Sequence, residues 1–346
     1  MNTELFHITS VEGHEQEIDR AGKMLREGKL VVFPTETVYG LGGLATSDDA
    51  AKAIYEAKGR PSDNPLIIHV ATPEDAEPYV VTNDTYYRLA RKFMPGPLTV
   101  ILPKKDTVPL SVTGGLDTVA VRCPAHPVAR ALIRAAEAPL AAPSANRSGR
   151  PSPTCAEHVI EDLNGRVAAI IDGGECEVGL ESTIVKLDDD KGILLRPGAI
   201  TADALACVCE TSIAPAVTAA LAENERPLSP GMKYRHYAPQ APLILLDGEY
   251  ATVLEYLKTK ALDPSVGILC YDEEKMLLSG EAALFAVGAR EDLVAQAKHL
   301  FAALREADKN PHLQKLYAHL PPQNGMGLAL YNRCIRAAAH TVERID

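Results

Sequence analysis

Cations and hydroxyl groups recur in short, loop-like segments of this sequence. The segment "AKGRPSDNPLIIHV" (57–70) places Lys58 and Arg60 on either side of Gly59, and Ser62 follows. On a helix, side chains two residues apart do not face each other, whereas on a loop they can converge. An ammonium and a guanidinium together suit a polyphosphate, so the segment indicates an anion site. The alternative is a solvated helix C-terminus, where cations also complement the dipole.

A second segment, "APLAAPSANRSGRPSPT" (138–154), contains no Asp or Glu. It supplies hydroxyl, amide and guanidinium donors: Ser144, Asn146, Arg147, Ser148, Arg150 and Ser152. Donors and cations without a compensating carboxylate are typical of an anion site. A bland Ser/Pro loop is the alternative.

Polar residues also stand at the ends of expected strands. Thr35 follows the buried strand "KLVVF", and three glycines then occur in four positions, which predicts a loop that approaches a ligand closely. In "GLDTVAVR" the alternation puts Thr118 and Arg122 on one face, where a guanidinium can clamp a carboxylate or phosphate. An ordinary turn and an edge-strand salt bridge are the respective alternatives.

Three further segments end or begin strands with polar groups. His69 closes the apolar run "PLIIH", Ser182 opens the strand in "GLESTIVKL", and Arg196 ends the strand in "LLRPG". Taken alone, His69 is more typical of a satisfied strand-end histidine. Together, the separated loops predict a basic cleft for a phosphate-rich ligand.

Length and composition limit the remaining choices. The 346 residues predict two domains, and a net charge of −11 argues against a broad nucleic-acid-binding surface. The seven cysteines include no C-x-x-C pair, and no zinc-ligand spacing occurs. The sequence shows neither a signal peptide nor an apolar run of 18 residues. These features predict a cytoplasmic protein with no membrane contact and no metal site of its own.

The order of elements predicts an α/β fold. Strands alternate with helices early and cluster later in residues 14–202, which indicates a mixed sheet. A proline-rich stretch, 203–241, is interpreted as a linker, and residues 242–346 predict a small doubly wound unit. The linker core "GMKYRHYAP" is cationic and aromatic, unlike a plain tether, so it is expected to fold back on a ligand.

The following blocks occur in order along nearly the whole chain: "FPTETVYGLG", "RPSDNPL", "PGPLTVIL", "GLDTVAVR", "APSANRSG", "GLESTIV", "LLRPG" and "SPGMKYRHYAP". Together they resemble the Sua5/YrdC family, in its long Sua5 form. The K-x-R…S-x-N signature of that family is present as Lys58, Arg60, Ser144 and Asn146. The resemblance implies a YrdC-like twisted mixed sheet around a basic cavity, a linker that folds over the active site, and a Rossmann-like C-terminal domain.

The resemblance also implies a nucleotidyltransferase reaction. L-Threonine, bicarbonate or CO2, and ATP give L-threonylcarbamoyl-AMP and pyrophosphate, the first step of the t6A37 modification of tRNA. Mg2+ would arrive with ATP, and the product would pass to the t6A-transferring complex without any need for stable nucleic-acid binding.

Residue roles follow from the resemblance. The catalytic set would be Lys58, Arg60, Ser144 and Asn146. ATP would contact Lys58, Arg60, Ser62, Thr118, Ser144, Ser152, Arg196, Tyr234, Arg235, His236 and Tyr237. Threonine would contact Thr35, His69, Arg122, Ala142 and Ser182.

Two other functions stay open at this stage. One is a double-stranded RNA- or tRNA-binding module without catalysis, which the acidic net charge disfavours. The other is a related enzyme that acts on another carbamoyl adenylate.

Overall fold

The computed structural model describes residues 2–219 and 236–346, which divide into two units. Among these residues, 2–148, 152–177 and 181–219 form the first unit, and 149–151, 178–180 and 236–346 form the second. No helix in the described ranges is long and apolar enough to cross a membrane. The predicted linker residues Tyr234 and Arg235 lie outside the described ranges.

The first unit contains eleven strands among its described residues. They are β1 (Glu4–His7), β2 (Val31–Phe33), β3 (Gly40–Leu44), β4 (Ile67–His69), β5 (Leu98–Pro103), β6 (Thr118–Arg122), β7 (Leu140–Ala141), β8 (Ala169–Asp172), β9 (Thr183–Asp188), β10 (Lys191–Arg196) and β11 (Thr211–Ile213). Its helices are α1 (Glu15–Arg26), α2 (Asp48–Lys58), α3 (Asp84–Phe93), α4 (Leu110–Thr113), α5 (Pro127–Ala135), α6 (Ala156–Leu163) and α7 (Ala202–Ala206).

The strands form one mixed sheet in the order β1-β8-β2-β3-β7-β4-β6-β5-β9-β10-β11. Parallel pairs such as β4 with β6 lie beside antiparallel pairs such as β5 with β6. The expectation of an α/β fold with a mixed sheet is therefore confirmed.

Local sequence sets both ends of α2, the helix that carries Lys58. The Ser47 side chain accepts a hydrogen bond from the Ala50 amide, and Asp48 and Asp49 occupy the first turn. Gly59, with φ of 63°, ends the helix in the left-handed conformation that glycine adopts most easily. Lys58 is thus the last residue of a helix rather than part of a loop, and the loop prediction was wrong at this position.

The structure differs from the sequence prediction in one element type and in two boundaries of the first sheet. The glycine-rich stretch forms strand β3, since Gly40 to Gly42 pair with Phe33 to Val31 of β2. Strand β1 pairs with β8, so the first sheet begins before residue 14. Strand β11 pairs with β10, so this sheet continues into the segment predicted as the linker.

The second unit contains a five-stranded, entirely parallel sheet among its described residues. Its strands are β12 (Leu243–Asp247), β13 (Val266–Cys270), β14 (Ala283–Ala286), β15 (Lys315–His319) and β16 (Val342–Arg344), in the order β14-β13-β15-β12-β16. The helices are α8 (Tyr250–Lys260), α9 (Leu293–Asp308) and α10 (Gly325–Ala337). This confirms the prediction of a second, doubly wound α/β unit, although β15 and β16 were not predicted.

Candidate active site

Lys58 joins the helix end to the loop that carries the S-x-N motif. Its side chain is buried, and Nζ donates hydrogen bonds to the carbonyl oxygens of Ser144 and Asn146, both at 2.5 Å. In return, the Lys58 carbonyl accepts from the Ser148 amide at 2.9 Å. The helix terminus therefore fixes the loop and places an ammonium beneath it.

The S-x-N loop is also braced from within. Ser144 Oγ donates to Asn146 Oδ1 at 2.5 Å, and Asn146 Nδ2 donates to the Arg147 carbonyl at 2.8 Å. The Arg147 amide donates to Asp162 Oδ2 of α6 at 3.1 Å. These bonds hold the loop from Ser144 to Arg147 in place, and Asn146 takes part in two of them.

Arg60 folds back over its own loop. Its Nη2 donates to the carbonyl oxygens of Asn64 and Pro65, at 3.3 and 3.1 Å. Ser62, which lies between Arg60 and Asn64 in sequence, is exposed. The proline-bounded turn thus holds the guanidinium close to the chain that leads into β4.

At the end of β6, Arg122 forms a buried ion pair, which the sequence analysis offered only as an edge-strand alternative, whereas β6 lies between β4 and β5. Its Nη2 lies 2.8 Å from Glu36 Oε1 and 3.4 Å from Thr35 Oγ1. The second oxygen of Glu36 accepts from the Ala125 amide at 3.1 Å. Among the residues that the structure describes, buried Arg122 Nε has no hydrogen-bond partner, which leaves one donor for another acceptor.

His69 lies directly opposite Arg122 in the pairing of β4 with β6. Burial, with the Arg122 charge added, lowers the pKa of His69 to about 3. Its Nδ1 lies 3.2 Å from the Ile67 carbonyl oxygen. His69 is therefore neutral at physiological pH and cannot serve as a cation.

Ser182 and Arg196, which were predicted to bind different substrates, are in direct contact. Arg196 Nε donates to the Ser182 carbonyl at 3.0 Å, and Arg196 Nη2 donates to Ser182 Oγ at 3.2 Å. Ser182 Oγ also lies 2.7 Å from Thr99 Oγ1. Thr99 pairs with Arg122 across β5 and β6, which connects this group to the ion pair.

Strand alternation places these side chains on one face of the sheet. Along β6, Val119 and Val121 belong to the large core, whereas Ala120 belongs to a small apolar cluster. The cluster consists of Ile67, Ile101, Ala120, Ile184 and Leu195. Because side chains two residues apart share a face, His69, Thr99, Arg122 and Ser182 lie on the side of this cluster.

Some predicted residues are not brought into this group by the described contacts. Thr118 begins β6, four residues before Arg122, which corresponds to about 13 Å along the strand. Tyr237 is buried in the second unit, where its ring stacks on Phe301 with centroids 5.1 Å apart. His236 adjoins it at 5.6 Å between ring centroids. ATP contacts for these residues stay predictions.

Two further predicted residues have well-defined surroundings. Ser152 is buried and donates to Glu181 Oε1 at 2.5 Å. Ala142, also buried, donates its amide to the Ile67 carbonyl at 2.9 Å, which holds the chain that leads to Ser144 beside β4.

Two residues of the site escaped the sequence analysis, Thr99 and Glu181, and Glu36 was assigned no role in it. Glu36 carried a usable signal, since an acidic residue within the otherwise neutral "FPTETVYG" needs a partner if it is buried. Thr99 carried none, because a threonine within a strand is common.

Comparison with known proteins identifies the family. Residues 23–198 match the Sua5/YciO/YrdC family model, described as "Telomere recombination", and residues 200–339 match the model described as "Threonylcarbamoyl-AMP synthase, C-terminal domain". The chain belongs to the Sua5/YrdC family. It has the long Sua5 form, as the motifs predicted.

Relatives in this family match over nearly their whole length. The threonylcarbamoyl-AMP synthase of Bacillus subtilis (strain 168) is 45% identical over 336 residues, which are 96% of this chain and 95% of the relative. That of Pyrococcus abyssi (strain GE5 / Orsay) is 44% identical over 341 residues, 96% of each. The crystal structure of P. abyssi Sua5 complexed with L-threonine has a TM-score of 0.88 at 40% identity and covers 100% of both chains.

Proposed function

We propose that this chain synthesises L-threonylcarbamoyl-AMP and pyrophosphate from L-threonine, bicarbonate or CO2, and ATP, as a cytoplasmic nucleotidyltransferase in the first step of t6A37 formation. Full-length relatives named threonylcarbamoyl-AMP synthase and a solved relative that holds L-threonine support the proposal. The observation that carries it is the bonding of buried Lys58 to the S-x-N loop.

In this proposal threonine binds beside the Arg122–Glu36 pair. Arg122 has five N–H donors. Its buried Nε has no partner within the described ranges 2–219 and 236–346, so it can serve a substrate carboxylate while Nη2 stays on Glu36. The Glu36 carboxylate can accept from the substrate ammonium. Neutral His69 adds polar surface without a second positive charge.

The reaction then needs positioning more than a protein nucleophile. The bound ammonium first releases a proton to water. The neutral threonine amine then attacks the carbon of CO2 and releases a second proton to water, which gives the anionic N-carboxythreonine. A carbamate oxygen attacks the α-phosphorus of ATP in line, and the bond to pyrophosphate breaks. Such transfers depend on orientation and on neutralisation of phosphate charge.

The residues assigned to ATP supply that neutralisation. Lys58, Arg60 and Arg196 are the cations, with Asn146 as the support of the loop. Among the described residues no group of three or more His, Cys, Asp or Glu could hold a metal ion, so Mg2+ would be held through the phosphates. When bound, Mg2+ would offset part of the charge of the leaving pyrophosphate.

The test is pyrophosphate release by the purified chain with each substrate omitted in turn. We expect release to require threonine, bicarbonate and ATP together, and the double variant Lys58→Ala/Arg60→Ala to lose most of it while circular dichroism stays unchanged. Release that does not depend on threonine, or a double variant with wild-type turnover, would contradict the proposal. Salt-dependent RNA binding without release would favour the binding module instead.

A further inference from the structure

The parallel sheet of the second unit has a topological switch point between β12 and β15. Strand β12 continues through α8 to β13 on one side, whereas its neighbour β15 continues through α10 to β16 on the other. Right-handed crossovers that leave in opposite directions put α8 and α10 on opposite faces of the sheet. A crevice opens between the carboxyl ends of two such strands, and ligands of open α/β sheets bind there.

A cavity of about 370 Å³ lies at this position. Asp247 and Gly248 line it from the end of β12, and His319 and Leu320 line it from the end of β15. Its volume falls within the range of small-molecule sites, about 300–1,000 Å³. None of its lining residues belongs to the proposed threonylcarbamoyl-AMP site.

Three aromatic rings that line the cavity, those of Tyr250, Tyr271 and His319, are stacked. His319 stacks on Tyr271, with centroids 4.8 Å apart and an interplanar angle of 17°, and on Tyr250, at 5.6 Å and 24°. Buried Glu274 fixes the imidazole through Oε1, which lies 2.8 Å from His319 Nε2. The other oxygen of Glu274 accepts from the Tyr271 amide at 2.9 Å. The three rings are thus nearly parallel, and a carboxylate fixes the imidazole that contacts both tyrosine rings.

The charged residues at the cavity indicate which class of ligand it can bind. Arg290 lies over the Tyr250 ring, 4.3 Å from its centroid, and is already paired with Glu291 at 2.8 Å. Asp247, which also lines the cavity, is exposed. One paired arginine beside two carboxylates disfavours a polyphosphate. A neutral ligand with a planar ring and hydroxyl groups fits better, since rings stack on aromatic faces and carboxylates accept from hydroxyls.

We propose that this crevice binds a nucleoside, with its base stacked on Tyr250 in the place of the exposed Arg290 guanidinium and its ribose hydroxyls donating to Asp247. The site is a second ligand site, separate in its residues from the one assigned to ATP. Its occupant is recognised by a flat base and a ribose diol rather than by phosphate charge.

A fluorescence experiment can read this site alone, because the chain contains no tryptophan. Tyr250→Trp places the single tryptophan of the intact protein in the stack and keeps an aromatic face. We expect adenosine to change its emission saturably, 2′,3′-dideoxyadenosine to bind at least about 5-fold more weakly, and inorganic phosphate to cause no change. The matched control is Leu262→Trp, at an exposed position just beyond the far end of α8.

The second measurement is equilibrium dialysis of adenosine with the wild type and with Asp247→Asn, which is isosteric. We expect Asp247→Asn to lose one binding site per chain or to weaken it about 12- to 160-fold, the range for a hydrogen bond to a charged group. Equal binding by both proteins, a response in Leu262→Trp equal to that in Tyr250→Trp, or a response to phosphate alone would overturn the proposal. Neither readout depends on pyrophosphate release, so the two proposals fail separately.

Discussion

Each unit of the protein has a buried glutamate that holds a side chain at the end of a strand. In the first unit, Glu36 binds Arg122 at 2.8 Å through one oxygen and the Ala125 amide at 3.1 Å through the other. In the second, Glu274 binds His319 at 2.8 Å and the Tyr271 amide at 2.9 Å. The supporting geometry is the same, and the strand-end residue differs.

That difference decides what each region can recognise. A guanidinium is charged at every accessible pH, so Arg122 provides a permanent positive charge that can also bind an anionic group. An imidazole can be neutral, so Glu274 can orient His319 as a flat ring within an aromatic stack. One supporting arrangement thus serves a charged substrate in one sheet and, by our inference, an uncharged ring in the other.

The same substitution in both pairs tests this comparison most strongly. Glu36→Gln leaves the buried Arg122 charge without its carboxylate, and we expect a loss of about 3–5 kcal/mol of stability. Glu274→Gln leaves a neutral hydrogen-bonding group beside His319, and we expect a loss of about 1 kcal/mol. Hydrogen–deuterium exchange read by mass spectrometry measures each loss separately, in peptides that contain β6 and β15.

Equal losses in the two peptides would break the comparison, because they would make the charge of the strand-end residue irrelevant. Glu175→Gln, at an exposed glutamate of the first unit, is the control for the substitution itself. It should leave exchange in β6 unchanged.

Lys58 is another fixed cation of the first unit and gives the largest expected effect on activity. Lys58→Ala removes the ammonium and its bonds to the Ser144 and Asn146 carbonyls, so we expect a loss of about 100- to 1,000-fold in threonine-dependent pyrophosphate release. Lys52→Ala is the matched control, because Lys52 lies on the same helix and is exposed. A Lys58 variant that retains more than a tenth of wild-type turnover would show that fixed charge at this position is dispensable.

Much of this fold was predictable, because strands such as β5 and β6 are long apolar runs bounded by turn residues. The loop prediction failed at Gly40, Gly42 and Gly43, which are strand residues. An added Cβ at Gly42 would lie 2.9 Å from the Phe33 ring, so glycine is required there by close packing between neighbouring strands. The local sequence does not distinguish glycines that permit such packing from glycines of a loop that approaches a ligand.

The site was predictable in its cations and less so in their partners. The spacing of Lys58, Arg60, Ser144 and Asn146 matches a family signature, and the structure joins Lys58 to the other segment of that signature. The pairing of Glu36 with Arg122 spans 86 positions of sequence. Such a contact depends on strand order in the folded sheet, which alternation within one strand does not reveal.

The preference for threonine over its analogues tests how the first site recognises the threonine side chain. Serine lacks only the methyl group of threonine, and one methyl is worth roughly 1–3 kcal/mol, so we expect kcat/KM for serine to be about 10- to 200-fold lower. An analogue without the hydroxyl, 2-aminobutyrate, should fall further if buried donors address that hydroxyl. Pyrophosphate release with each amino acid gives the ratios. A better result with 2-aminobutyrate than with serine would mean that the pocket recognises the methyl rather than the hydroxyl.

His69 provides the final test, since it lies beside a permanent cation whereas His319 lies beside a carboxylate. Its pKa falls from the ordinary 6.5 to about 3, because burial and Arg122 both disfavour the imidazolium. The unfolded chain therefore binds a proton between pH 6.5 and 3 that the folded chain does not. Stability is lost as pH falls through this window, by about 2 kcal/mol between pH 7 and pH 5 for this one group.

His69→Gln removes the titrating group, so the difference in unfolding free energy between wild type and variant should change by that amount over the same interval. Urea unfolding at pH 7 and pH 5, followed through β4 by hydrogen exchange, measures it. His312→Gln, at an exposed histidine, is the control and should preserve the wild-type slope. If His69→Gln also kept that slope, His69 would be able to accept a proton in the folded state. The permanent charge of Arg122 would then not set the protonation of its neighbour, and the contrast between the two strand ends would lose its electrostatic basis.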